Sequence, residues 1–297
     1  MRTLKKQTFL SILLLPVLFC MACSQTTEQV IGEPEVITSG FQFTEGPFWH
    51  PEGYLLFSDI PANTIYKWSP GSSESEVFID PSGNSNGIQA LPDGNLVLAQ
   101  HTGRISRVGD DNELVPVAEE YDGKRLNSPN DLAVRSDGLI YFTDPTFGVD
   151  PEDQELEFSG VYRVDSDGAV SLIYDEFALP NGIVFSPDES KLYVNDTATG
   201  QITRFDVLEN GDVENPTPFA SVGESAETGA ADGMVTDPDG RLYITSSKGL
   251  LVFNEAGEQV QQISFDNRIT NMAWGGENGD QLFVTSPADV YRLRVTR

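Results

Sequence analysis

A short phrase recurs six times along this chain, and its spacing limits the possible folds more than any other feature. It opens at Glu45 (EGPFWHPEGYLLFSD), Asn86 (NGIQALPDGNLVLAQ), Asn130 (NDLAVRSDGLIYFTD), Asn181 (NGIVFSPDESKLYVND), Asp232 (DGMVTDPDGRLYITS) and Asn271 (NMAWGGENGDQLFVTS). The leading residues stand 39 to 51 positions apart, which is the length of one propeller blade. Each copy reads as a short apolar strand, a turn and a second strand rich in Leu, Ile, Tyr, Phe and Val. The turns carry Glu52-Gly53, Asp93-Gly94, Asp137-Gly138, Asp188-Glu189, Asp239-Gly240 and Asn278-Gly279. A third strand follows each pair: 64–68, 104–108, 160–164, 201–207, 249–253 and 289–295. The fold class expected is all-β, a six-bladed β-propeller. The last copy stops at the C-terminus with three strands, while Val36–Thr38 precedes the first copy without a partner. An open ring would leave unpaired edges, so this N-terminal strand is expected to close the last blade.

The chain before that strand reads differently. Arg2, Lys5 and Lys6 precede the apolar run FLSILLLPVLF, which is short for a membrane span and is interrupted by Pro16. Residues 1–22 are read as a signal peptide. Ala22 before Cys23 resembles a bacterial lipoprotein cleavage site, although Cys20 stands where such signals usually carry Leu. The expected organisation is a leader over 1–22, a lipidated Cys23 with a polar tether over 23–34, and one propeller domain over 35–297. The protein is then exported and anchored at Cys23, facing the periplasm or on the cell surface, with a soluble periplasmic or secreted form as the alternative. Both cysteines, Cys20 and Cys23, fall outside the domain, which excludes an internal disulfide, a Cys nucleophile and a thiolate metal site. The chain carries a formal charge of −28, and the leader contributes only basic residues to it. Such acidity argues against nucleic acid or anionic lipid as a partner. The lipid anchor would be its only membrane contact. A small neutral substrate, an easily expelled anionic product and a monomer are expected.

The leading residues ask for an explanation beyond turn chemistry, because the hairpin turns already lie six or seven positions later. In a closed ring, Glu45, Asn86, Asn130, Asn181, Asp232 and Asn271 converge around the axis at one mouth of the central channel. All six are oxygen donors, and two are carboxylates. Clustered carboxylates raise one another's pKa unless a cation is present. Hard oxygens without a His or Cys cluster suit Ca²⁺, with another divalent cation possible.

These residues, together with TEGPFWHPEGYLLFSDIPANTIYKW, PSGNSNG, GKRLNSPNDLAVRSDGLIYFTDPTFG, FSGVYRVD and TNMAWGG, resemble the gluconolactonase and senescence marker protein (regucalcin) family of calcium-dependent lactonases, and most of all its bacterial gluconolactonase branch. The resemblance spans 36–297. It implies metal ligation by Glu45, Asn130, Asn181 and Asp232, and it makes Asp232 the candidate general base. The implied reaction opens a sugar lactone to the aldonic acid. Asn86 and Asn271 complete the ring as candidate substrate contacts. Arg125 and Asn127, just before the blade-three ring residue, are candidate binders of substrate hydroxyls, with pairing of Arg125 to Asp122 as the alternative. His101 is a candidate substrate contact or a hydrogen-bonded structural residue. Gln100 stands before it where that branch often has Glu. A related esterase or organophosphate hydrolase on the same ring, or a non-catalytic sugar- or protein-binding propeller, are the competing functions.

Overall fold

The computed structural model describes residues 30–223 and 231–296. The expected leader over 1–22, Cys23 and the tether as far as residue 29 lie outside the described residues. The rest forms six antiparallel blades, five of four strands and a last one of five, with a two-stranded hairpin of Glu120–Tyr121 and Lys124–Arg125 beside them; among the described residues the helical content is one 3₁₀ turn at Asp110–Asn112. Blade one runs from inner strand Thr44–His50 through Tyr54–Asp59 and Thr64–Trp68 to outer strand Ser75–Ile79. The other five repeat this order. Their inner strands are Ser85–Ala90, Leu132–Val134, Pro180–Phe185, Ala231–Thr236 and Met272–Gly275.

The core lies between blades rather than within them. Successive residues of a strand point to opposite faces, so neighbouring side chains serve different interfaces. Leu56 packs with Ile88 and Leu98 of blade two, whereas Leu55 packs with Phe283 and Val290 of blade six. Six such clusters occur, one per interface. Both leucines are wholly buried, and burying each is worth about 1.5–3 kcal/mol.

Ring closure follows the expectation, with an addition. Glu35–Ser39 pairs with Asp289–Thr296, placing Val36 opposite Tyr291 and Thr38 opposite Val290. Val30–Ile31, expected to belong to the tether, continues the same edge opposite Thr296 and Val295. Ile31 packs into the cluster between blades five and six, which is reason enough for it to pair.

The hairpin turns behave as their composition requires. Gly53, Gly94, Gly138, Gly240 and Gly279 all have positive φ, and in blade four, which lacks the glycine, Glu189 takes that conformation at φ 56°.

Adjacent inner strands are tied together where the ring residues sit. A side chain from each of several second strands reaches the next blade's ring backbone: Ser58 Oγ donates to the carbonyl of Asn86 at 2.8 Å, Thr143 Oγ1 to Asn181 at 2.7 Å and Asn195 Nδ2 to Asp232 at 2.6 Å. The residue after the ring position is glycine in four blades for a steric reason. A Cβ on Gly182 would lie 2.4 Å from the Asp232 carbonyl oxygen, and one on Gly233 would lie 2.0 Å from Asn271 Oδ1.

Candidate metal centre and active site

A cavity of about 570 Å³ opens at the end of the channel where the inner strands begin. Glu45, Asn86, Asn130, Asn181 and Asp232 form its polar floor. Each is less than 8% exposed. His101 and Thr197 join them on the wall, and Phe43, Ile60, Phe147 and Leu179 make an apolar rim. Phe147 comes from the loop between the second and third strands of blade three, Ile140–Asp144 and Gly160–Val164.

The sixth ring residue turns the other way. Asn271 borders a second cavity of about 340 Å³, further along the channel among Trp49, Phe185, Met234 and Trp274. Its Oδ1 accepts the Met272 N–H at 2.8 Å, and its side chain pulls the Glu45 and Asp131 carboxyls down against the upward push of burial.

The structure does not bring Arg125 and Asn127 to the cavity. Asn127 is 1% exposed, donates its backbone N–H to Asp144 Oδ2 and gives its side-chain amide to the Phe158 carbonyl. Arg125 sits on a small hairpin between blades two and three, where its guanidinium donates to the Thr102 carbonyl and its backbone N–H to Glu155. It does not pair with Asp122 as the alternative held. Both residues brace the approach to Asn130 from outside.

Three residues of the centre were not anticipated. Arg268 stands three positions before Asn271 and reaches over the rim, with its guanidinium 2.9 Å from Asp232 Oδ2 and above the Phe43 ring. Asp131 stands where four blades carry glycine and is 8% exposed. Phe43 precedes Glu45 by two positions, as Leu179 precedes Asn181. The available signal was positional: the lead-in to a ring residue supplies the rim.

The electrostatics are those of a crowded acidic centre. Burial, reinforced by the charges of Asp232 and Asp131, pushes the Glu45 carboxyl well above the usual carboxylate range. Burial also raises Asp232, against the opposing pull of Arg268. Asp131 is pushed up to about 7, chiefly by burial. His101 is driven down to about 4 by burial and is neutral at physiological pH.

This donor set fits a hard divalent cation. Among the described residues no cluster of three His, Cys, Asp or Glu side chains could hold a metal, so the oxygen donors are two carboxylates plus amides. Asn181 donates Nδ2 to both Asp232 Oδ1 and Thr197 Oγ1, which leaves its Oδ1 as the atom available to a ligand. Asn86 Oδ1 is buried and without a hydrogen-bond partner. Buried oxygens in this state are stabilised by a cation of the calcium type.

Comparison with known proteins agrees with the geometry. Residues 43–288 match the profile of the SMP-30/Gluconolactonase/LRE-like region. A gluconolactonase of Zymomonas mobilis is 35% identical over 88% of this chain and 80% of its own length. A pentonolactonase of Haloferax volcanii is 26% identical over 84% of each chain. The solved structure of a gluconolactonase from Xanthomonas campestris superposes with a TM-score of 0.80 at 31% identity, covering 89% of both chains. A calcium-binding regucalcin from Agrobacterium tumefaciens shares the fold at a TM-score of 0.75 and 18% identity, over 88% of this chain and 93% of that one. With six blades closed by the N-terminal strand, and with the match running through every blade, the chain belongs to the SMP-30/gluconolactonase family.

Proposed function

We propose that this protein is a calcium-dependent lactone hydrolase that opens a sugar lactone to its hydroxy acid. The observation that carries the reading is the floor of buried oxygen donors, two of them carboxylates, at the base of a cavity of about 570 Å³. The lactonase names of its relatives support the substrate class.

Glu45, Asn130, Asn181 and Asp232 would hold the ion. When bound, calcium supplies Lewis-acid polarisation of the ester carbonyl and stabilises negative charge on its oxygen. The protein's own residues do the rest. Asn86 offers a polar contact to a substrate hydroxyl at the floor. Asp232 Oδ2, on the oxygen that meets Arg268, takes a proton from the attacking water. The water oxygen adds to the acyl carbon, the bond from acyl carbon to ring oxygen breaks, and the ring oxygen leaves as the new hydroxyl with a proton equivalent to the one removed. Burial raises the basicity of Asp232 while a ligated cation lowers it, and the working value is set by their balance. The product is an anion leaving an acidic protein.

The apolar rim of Phe43, Ile60, Phe147 and Leu179 favours a second reading, an esterase on the same centre acting on substrates with an apolar group. Acid release from gluconolactone measured beside an aryl ester and a phosphotriester separates the two. Gluconolactone should be opened well above its spontaneous rate; turnover of the ester or phosphotriester alone would favour the second reading instead. The leader over 1–22 and Cys23 support export and lipid anchoring as the location of this activity.

A further inference from the structure

The buried, unpartnered Oδ1 of Asn86 is the least expected atom in the centre, and its surroundings account for it. Asn86 is 2% exposed, and its Nδ2 lies 3.3 Å from His101 Nε2. An amide nitrogen can only donate, so this contact makes Nε2 the acceptor and places the imidazole proton on Nδ1. The amide of Asn86 is thereby fixed with its nitrogen towards His101 and its oxygen on the opposite branch.

The ring of His101 is seated in turn. A Cβ on Gly148 would lie 2.8 Å from His101 Cβ and Cγ, and the Gly148 N–H is held by Ser128 Oγ at 2.9 Å. The backbone of Asn86 is pinned through its carbonyl by Ser58. The freedom left to this side chain is the flip of its amide, and an Nε2 that carries no proton holds the amide in the orientation seen.

We propose that His101 is a positioning residue that selects the orientation of the Asn86 amide, so that blade two presents an oxygen lone pair rather than an N–H to the cation held by the ring. This rests on the calcium reading given above. It makes the Asn86 oxygen a further ligand of the ion in place of the substrate contact assigned to it above, and gives His101 a task that needs neither proton transfer nor contact with substrate. Residues that orient a metal ligand from behind typically change metal affinity 10- to 100-fold.

Two measurements on the purified, metal-stripped protein test the proposal. Long-range ¹⁵N–¹H correlation spectra of His-labelled protein report the tautomer of His101, expected to be Nδ1–H. The Nε2–H form would overturn the proposal. Calorimetric titration with Ca²⁺ reads affinity in the wild type, His101→Leu, Asn86→Asp and the double variant. His101→Leu is expected to weaken Ca²⁺ binding by about tenfold or more. In the Asn86→Asp background the same change should cost less than about threefold, because a carboxylate presents an oxygen in either orientation. Equal losses in both backgrounds would make His101 a packing residue and overturn the proposal. A wild type that binds no Ca²⁺ would remove the calcium reading and this inference with it, whereas a wild type that binds and a His101→Leu variant that binds equally well would remove the inference alone.

Discussion

Asp232 uses both of its oxygens, one on the Asn181 amide and the other on Arg268, and the second contact ranks Arg268 among the functional residues. Among the described residues lining this cavity Arg268 is the one cation, and it occupies a carboxylate oxygen that a metal would also use. Its side chain is 38% exposed, so solvent screens the pair and its worth is about 1 kcal/mol or less. Replacing it with Gln should therefore tighten Ca²⁺ binding by about fivefold, the equivalent of about 1 kcal/mol, while lowering the melting temperature of the metal-free protein. Calorimetry and thermal melts read the two effects; weaker Ca²⁺ binding would mean that Arg268 serves to order Asp232 instead. The ring residues themselves were legible in the sequence, because a polar residue leads each repeated phrase and the turn chemistry of that phrase is satisfied elsewhere. Arg268 and Phe43 lie before the phrase: among the described rim residues the offset of Phe43 returns only at Leu179, and that of Arg268 in no other blade as a cation. Asp131 lies inside the phrase but breaks it, where a glycine stands in four other blades. Arg125 and Asn127 misled for the opposite reason: their place before Asn130 resembles a rim position, yet Asp144 draws the Asn127 backbone inward.

At the scale of the blade, a second device holds the ring in place. Asp59, Asp144 and Asp196 end the second strands of blades one, three and four, and each accepts backbone N–H groups from the segment leading into its own blade's ring residue. The repeated FSD, FTD and VND endings carry this function in the sequence, where they read merely as strand ends. The glycines divide in the same way between two roles. Gly53 lies in open space with φ 89°, so Gly53→Ala should cost about 1–2 kcal/mol through backbone strain. Gly182 has no such φ but faces the Asp232 carbonyl, so Gly182→Ala should cost about 3 kcal/mol or more and disturb the centre. Urea unfolding and Ca²⁺ affinity together check this, and a Gly182→Ala variant with undisturbed affinity would contradict the close approach of the two strands. Hairpin turns and third strands were readable because Asx-Gly pairs and buried alternation constrain them. Outer strands such as Val213–Ser221, largely exposed and containing two prolines, are set by their neighbours' edges and left little trace.

At the scale of the whole molecule, six interfaces share one ring and closure depends on the strand at the N-terminus, so stability is expected to be cooperative. Its pH dependence has an identifiable source outside the metal centre. Burial pushes Asp144 up to about 7 in the folded protein, from an ordinary value near 3.8. The folded state therefore binds this proton more tightly than the unfolded state, and stability falls as pH rises from about 4 to about 7. Thermal melts should show Asp144→Asn losing less stability than the wild type over that window; parallel curves would place the ionisation elsewhere. Hydrolysis of gluconolactone by the metal-stripped protein, followed as Ca²⁺ is added and compared with the binding isotherm, tests the central claim most directly. Spontaneous rates are expected without metal, with turnover rising in step with occupancy of one Ca²⁺ per chain. Full turnover without the ion, or a calcium-loaded protein that leaves the lactone untouched, would contradict it.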